Sequence, residues 1–151
     1  MQQVIGIPRA LLFYEYFPMW NTFFDYLGVK TIISPQTNKK ILEDGLKNTV
    51  DEACLPVKLA MGHVKSLMDK ADYIFLPRMV SLARAEYICP KFLGFPDMVR
   101  YSLPGVKIID TKINLYHSGN SGKKTFQEIG KMFSNNPLKI HRAYRESCKS
   151  L

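Results

Sequence analysis

No C-x-x-C pair, no Walker-type phosphate loop and no Rossmann glycine fingerprint occurs in this chain of 151 residues. The first absence argues against a thioredoxin-like or zinc-ribbon protein. The second argues that the chain does not itself hydrolyse ATP, and the third that it does not bind a dinucleotide. Long apolar runs are missing too. The most apolar stretch, residues 10–27, is interrupted by Glu15, Pro18, Asn21 and Asp25, so no membrane span is expected. The chain opens directly into Val4-Ile5-Gly6-Ile7, without a basic n-region or a small-residue cleavage site. Its three cysteines are odd in number and far apart, which does not suit a secreted disulfide framework. A cytoplasmic location is expected. Internal repeats, low-complexity tracts and long linkers are also lacking.

What is present reads as one globular domain. Hydrophobic residues make up 46% and charged residues 23%, enough for a single substantial core. The net charge of +8 is uneven: from residue 120 onward seven basic residues face two acidic ones, a net +5, which leaves +3 for the rest. A basic helical tail can bind nucleic acid or an acidic protein surface, but without zinc-finger spacing or RNA-binding aromatics it reads better as a solvated helix face.

Short apolar runs alternate with helical stretches, the pattern of an α/β protein with a parallel sheet. Strands are expected at Val4–Ile7, 31–34, 73–76 and 106–109, with a short further strand inside 78–88. Helices are expected over 10–27, closed by Gly28, then after a cap at Asn38, from Leu55-Pro56 to about Lys70, and over Pro90–Ser102. Two more, near 123–133 and 138–148, form a basic helical C-terminal segment from about residue 120. The fold class is therefore a three-layer α/β sandwich with a mostly parallel, flavodoxin-like sheet of four to five strands. The aromatic-rich first helix, with Phe13, Tyr14, Tyr16, Phe17, Trp20, Phe23 and Phe24, is expected to pack mainly on that sheet.

Two cysteines sit in related frames, Glu52-Ala-Cys54-Leu-Pro56 and Glu86-Tyr-Ile-Cys89-Pro90. Each opens a helix, where free N–H groups and the helix dipole favour a thiolate. A helix leading into a parallel strand starts at the carboxyl edge of the sheet, so both cysteines are expected on that edge, where open α/β sheets bind ligands. Arg9, Thr37, Asn38, Arg78 and the pair Asp110-Thr111 follow strands and reach the same edge. The arginines suit either an anionic ligand such as phosphate or simple pairing with carboxylates. Glu52 and Glu86 suit helix capping or hydrogen bonding around the site. The cysteine spacing alone leaves metal ligation and core packing both open; cysteine-only ligation would favour a soft metal or an iron–sulfur cluster. Cys148 lacks the helix-start frame and reads as an ordinary thiol. His63 reads as structural, and neither His117 nor His141 has a partner at metal-ligand spacing.

The phrases Ile5-Gly-Ile-Pro-Arg-Ala-Leu11, Ser34-Pro-Gln-Thr-Asn-Lys39, Asp51-Glu-Ala-Cys-Leu-Pro-Val-Lys58, Asp72-Tyr-Ile-Phe-Leu-Pro-Arg78 and Glu86-Tyr-Ile-Cys-Pro-Lys-Phe-Leu-Gly-Phe-Pro-Asp97 carry a resemblance. They resemble the acyl-CoA dehydratase activase-related proteins, a domain family of unknown function. That family is related to 2-hydroxyacyl-CoA dehydratase subunits and occurs fused to their ATP-dependent activators. The resemblance implies an iron–sulfur protein of anaerobic metabolism that works with an activator ATPase or a dehydratase subunit, and possible contact with an acyl-CoA. It implies Cys54 and Cys89 as ligands of a cluster, 4Fe-4S by analogy. The related dehydratase subunits use three cysteines, and no third motif cysteine is found here. A cluster would then be shared with another chain or domain, a homodimer being one arrangement with four thiolates. The alternative is a non-catalytic interaction module that docks on an activator or dehydratase partner.

Overall fold

The computed structural model describes residues 3–116 and 120–151, the side chains of Asn120 and Ser121 excepted. In chain order the elements are β1 (Val4–Ile7), α1 (Phe13–Leu27), β2 (Lys30–Ile33), α2 (Lys39–Lys47), α3 (Leu55–Leu67), β3 (Tyr73–Phe75) and β4 (Arg78–Ser81). They continue with α4 (Pro90–Ser102), β5 (Ile108–Ile109), β6 (Lys112–Asn114), α5 (Asn120–Lys131) and α6 (Pro137–Lys149). The main sheet has four strands in the order β2-β1-β3-β5, all pairs parallel. That order places a topological switch point between β1 and β3, as in a flavodoxin-like sheet.

Strand alternation sorts side chains into two cores. Ile5, Ile7, Phe75 and Ile109 join α1, α5 and α6 on one face. Ile74 and Leu76 join α3 and α4 on the other. The aromatic helix packs as expected: Phe23 and Phe24 are fully buried, and Phe24 meets Phe75 edge-on at 5.2 Å between ring centroids. Tyr14 remains outside this core, 72% exposed.

α1 begins three residues later than the apolar pattern suggests. Leu11 has φ 56°, a left-handed conformation that an α-helix cannot contain, so residues 8–12 form a turn instead. The helix stops where expected, at Gly28 with φ 81°, a value that glycine adopts without a Cβ penalty.

The strand expected within 78–88 is β4, but its partner was not legible. After β3 and β5 the two chain segments continue side by side past Pro77, which has no N–H for the ladder. Leu76 donates to the Ile109 carbonyl at 2.9 Å and Arg78 to that of Thr111 at 3.2 Å. β4 and β6 then form a small parallel sheet of their own.

α2 lies unusually close to α3. A Cβ on Gly45 would run into the Lys58 carbonyl, and one on Gly62 into the Ile41 carbonyl. The two helices therefore touch backbone to backbone, which fixes the loop before α2. The basic C-terminal segment completes the other layer. Ile140 and Ala143 of α6 are buried, and Lys139 reaches the Leu27 carbonyl at the end of α1 at 3.1 Å. Lys124, Lys131, Arg142, Arg145 and Lys149 are exposed. Among the described residues no helix is long and apolar enough to cross a membrane.

Candidate functional site

Cys54 is the N-cap of α3 and Cys89 that of α4. Both helices pack in one layer and lead into parallel strands, so their first turns lie on the carboxyl edge of the sheet. Proline explains where each begins. Pro56 and Pro90 occupy the first turn, where a missing N–H costs no intrahelical bond.

The thiols are exposed and take no part in capping. The Val57 and Lys58 N–H groups turn back to the Cys54 carbonyl at 3.1 Å, and that of Phe92 to the Cys89 carbonyl at 3.0 Å. The sulfurs therefore receive no cap hydrogen bond, contrary to what helix-start thiols lead one to expect, and project from the edge. Core packing, the other reading of these cysteines, does not describe them. Glu52 and Glu86 are also exposed, and among the described residues neither carboxylate caps a helix or forms an ion pair. No group of three or more His, Cys, Asp or Glu residues suited to an ion occurs among the described residues. Among the described residues, the cysteines at this edge are Cys54 and Cys89. His117 lies outside the described residues.

The two candidate arginines differ sharply. Arg78 takes the carboxylate-pairing alternative. Its Nη1 and Nη2 each donate at 2.6 Å to the two oxygens of Asp97, a bidentate fork, and its Nε donates to Asp110 at 2.8 Å. Arg100 bridges the same two aspartates. The hydrogen bond to Asp97 outweighs burial and raises the Arg78 pKa. Burial pushes the Asp110 carboxyl up, but hydrogen bonds from Arg100 and Arg78 prevail and hold it below the usual range. This network ties β4 to α4 and the end of β5.

Arg9 has no carboxylate within ion-pair distance among the described residues. Its Nε donates to the Ser34 carbonyl at 3.2 Å, and its guanidinium carbon lies 5.6 Å from the centre of the Phe13 ring. The Arg9 backbone N–H donates to Ser34 Oγ at 2.8 Å. Ser34 Oγ in turn lies 2.8 Å from His63 Nδ1, and His63 Nε2 lies 3.0 Å from Thr37 Oγ1. Each ring nitrogen thus has a hydroxyl partner, so a neutral imidazole is satisfied at both positions in either tautomer. Burial, with the Arg9 charge adding to it, lowers the His63 pKa. Asn38 serves as the expected cap, its Oδ1 accepting from the Ile41 N–H at 3.0 Å.

Arg9, Tyr14, Thr37, Leu55, Pro56 and His63 line a cleft of about 230 Å³. A second cavity lies at the switch point, walled by Pro8, Leu11, Trp20, Phe75, Leu76 and Phe95. At about 40 Å³ it has room for little more than a water. The Arg9–Thr37 cleft, beside the first turn of α3, is the roomier of these two.

The family model described as "CoA enzyme activase uncharacterised domain" matches residues 4–151. The chain belongs to that family. The match extends the likeness carried by the cysteine phrases through the C-terminal helices, so α5 and α6 are part of the family domain. No curated protein and no solved structure matches the chain. In this CoA enzyme activase-related domain, both cysteines, Arg9 and Thr37 stand at the sheet edge where the sequence placed them. Sequence reasoning read His63 as structural, which its complete burial supports, but missed that its ring joins Thr37 to Ser34. The available signal was a polar residue amid Val57, Ala60, Met61, Val64 and Leu67, since a buried polar group needs partners.

Proposed function

We infer that this domain supplies two thiolates, Cys54 and Cys89, to an iron–sulfur cluster completed by cysteines of another chain or domain. The carrying observation is that both thiols are exposed, uncapped and placed at the first turns of neighbouring helices on one sheet edge. Soft thiolate donors suit iron–sulfur clusters, which take four cysteines in the common case. Two donors fit half of such a site. One-electron transfer is the chemistry that a 4Fe-4S cluster would supply when bound.

The surroundings favour a shared site. Leu55 and Tyr87 flank the two cysteines in sequence, and they are 57% and 66% exposed. Large exposed side chains beside exposed thiols suit a surface that a partner covers, although Tyr87 also stacks on Tyr116. The proposed partner is an activator ATPase or a dehydratase subunit, as the resemblance implies and the activase-related family description supports in general terms, with a second copy of the domain as the symmetric arrangement. The module then acts in electron transfer or as a 2-hydroxyacyl-CoA dehydratase-like component. The same exposed residues would also serve a non-catalytic docking module, which needs the apolar surface but not the sulfurs.

Iron and sulfide analysis after anaerobic reconstitution separates the two. Brown protein with visible absorbance bleached by dithionite, lost in both C54S and C89S, is the expected result. A cluster unaffected by either substitution would overturn the ligand assignment. Colourless protein that still binds an activator anaerobically would favour docking.

A further inference from the structure

We propose that the cleft between the β1–α1 turn and the start of α3 is an anion site for a phosphate group, with Arg9 and Thr37 as its binding residues. The proposal concerns binding within one chain and requires no cluster.

Arginine carries five N–H donors and keeps its charge at all physiological pH values. Arg9 uses its Nε on the Ser34 carbonyl, and among the described residues its terminal nitrogens have no hydrogen-bond or carboxylate partner. The side chain is half-buried. A cation withdrawn from water without a counter-charge is costly, so such groups are ordinarily paired. Arg78 shows what the pairing looks like in this same protein, with two aspartates on one guanidinium. Arg9 offers the same planar fork to an open cleft instead. A planar pair of donors matches two oxygens of a phosphate.

The opposite wall adds a hydroxyl. In the Nε2–H tautomer that the proposal takes, His63 donates to Thr37 Oγ1, 3.0 Å away, and the hydroxyl hydrogen is left to an acceptor in the cleft. His63 is held by Ser34, and Ser34 by the Arg9 backbone, so the network fixes both walls relative to one another. Among the described residues no carboxylate lines the cleft to repel an anion. At about 230 Å³ it accommodates a phosphate with part of an attached group.

The test uses the full chain, with inorganic phosphate and glycerol 3-phosphate as probes. Titration is followed by calorimetry and by the His63 ring resonances. Saturable binding with matching midpoints in both readouts is expected. Arg9→Gln should weaken it about ten- to a hundredfold, the loss typical of charged hydrogen bonds, and Thr37→Val about three- to tenfold. Arg9→Lys should fall between, keeping charge but not the fork. Lys124→Gln, in the opposite layer, should change nothing. Tighter binding of inorganic phosphate would identify a free anion as the ligand, and tighter binding of the ester a phosphomonoester. Circular dichroism establishes that each variant is folded, and Thr37 is exposed enough that its replacement spares the core. Binding that survives both R9Q and T37V, or no binding at tens of millimolar phosphate, would overturn the proposal.

Discussion

Gly62→Ala should destabilise the domain, although alanine is the better helix former. Within a helix, glycine to alanine alone gains up to about 1 kcal/mol. At position 62 the new methyl would occupy the space of the Ile41 carbonyl, with the Ile41 Cγ2 a further 3.0 Å neighbour. The obstruction is backbone, which cannot swing aside as a side-chain tip can. α2 and α3 would have to part along their whole contact, including the matching approach of Gly45 to Lys58. Overpacking of this kind typically costs about 1–3 kcal/mol, and a backbone obstruction belongs at the upper end. Subtracting the propensity gain leaves about 2 kcal/mol, or a Tm lower by about 4–8 °C for a domain of this size. Gly94 is the internal control. It also lies inside a helix, α4, but a Cβ there meets nothing within 4 Å. Gly94→Ala should raise Tm by about 2–4 °C. Thermal melts by circular dichroism read both. A Gly62→Ala protein as stable as the parent would refute the close-contact argument, and equal shifts for both glycines would refute the contrast.

Three further outcomes follow from the geometry. His63 is neutral and its pKa lowered by burial, so the unfolded chain takes up its proton first as pH falls. Its contribution to stability should be intact above about pH 6.5, decline below it with a slope no steeper than about 1.4 kcal/mol per pH unit, and level off below the folded pKa. Denaturant melts should lose that component in His63→Gln. Arg78→Met should cost about 1–2 kcal/mol through the mostly buried pairing with Asp110, and a double-mutant cycle with Asp110→Asn should show coupling between the two. Finally, all three thiols, Cys54, Cys89 and Cys148, are exposed and should react with a thiol reagent without denaturant. A thiol that titrates only after unfolding would contradict its placement.

The strands and helices of the main sheet were legible because their signals are local. Gly28 stops α1, Asn38 caps α2, and prolines mark the starts of α3 and α4. The start of α1 was not, because Leu11 gives no sign in sequence of its left-handed backbone. The β4–β6 sheet was hidden for a different reason. Its pairing joins residues more than thirty apart, such as Arg78 with Lys112, and the strands are too short for periodicity to reveal. At the site, chain topology sufficed to bring Cys54 and Cys89 to one edge. It could not tell apart Arg9 and Arg78, which both follow a proline after a strand. Asp97 and Asp110, nineteen and more residues away, neutralise one of them and not the other.

The hydrogen bond from Lys139 to Leu27 spans 112 residues, and the α6 surface that buries α1 lies at the same remove. Ribosomes add roughly 5–20 residues per second, so on a growing chain Phe23, Phe24 and their neighbours wait about 6–20 s for that cover. During that interval an aromatic face stands open on the nascent polypeptide. Shortening the chain before α6 should therefore leave that face uncovered and send the protein into aggregates, read by the soluble fraction after expression.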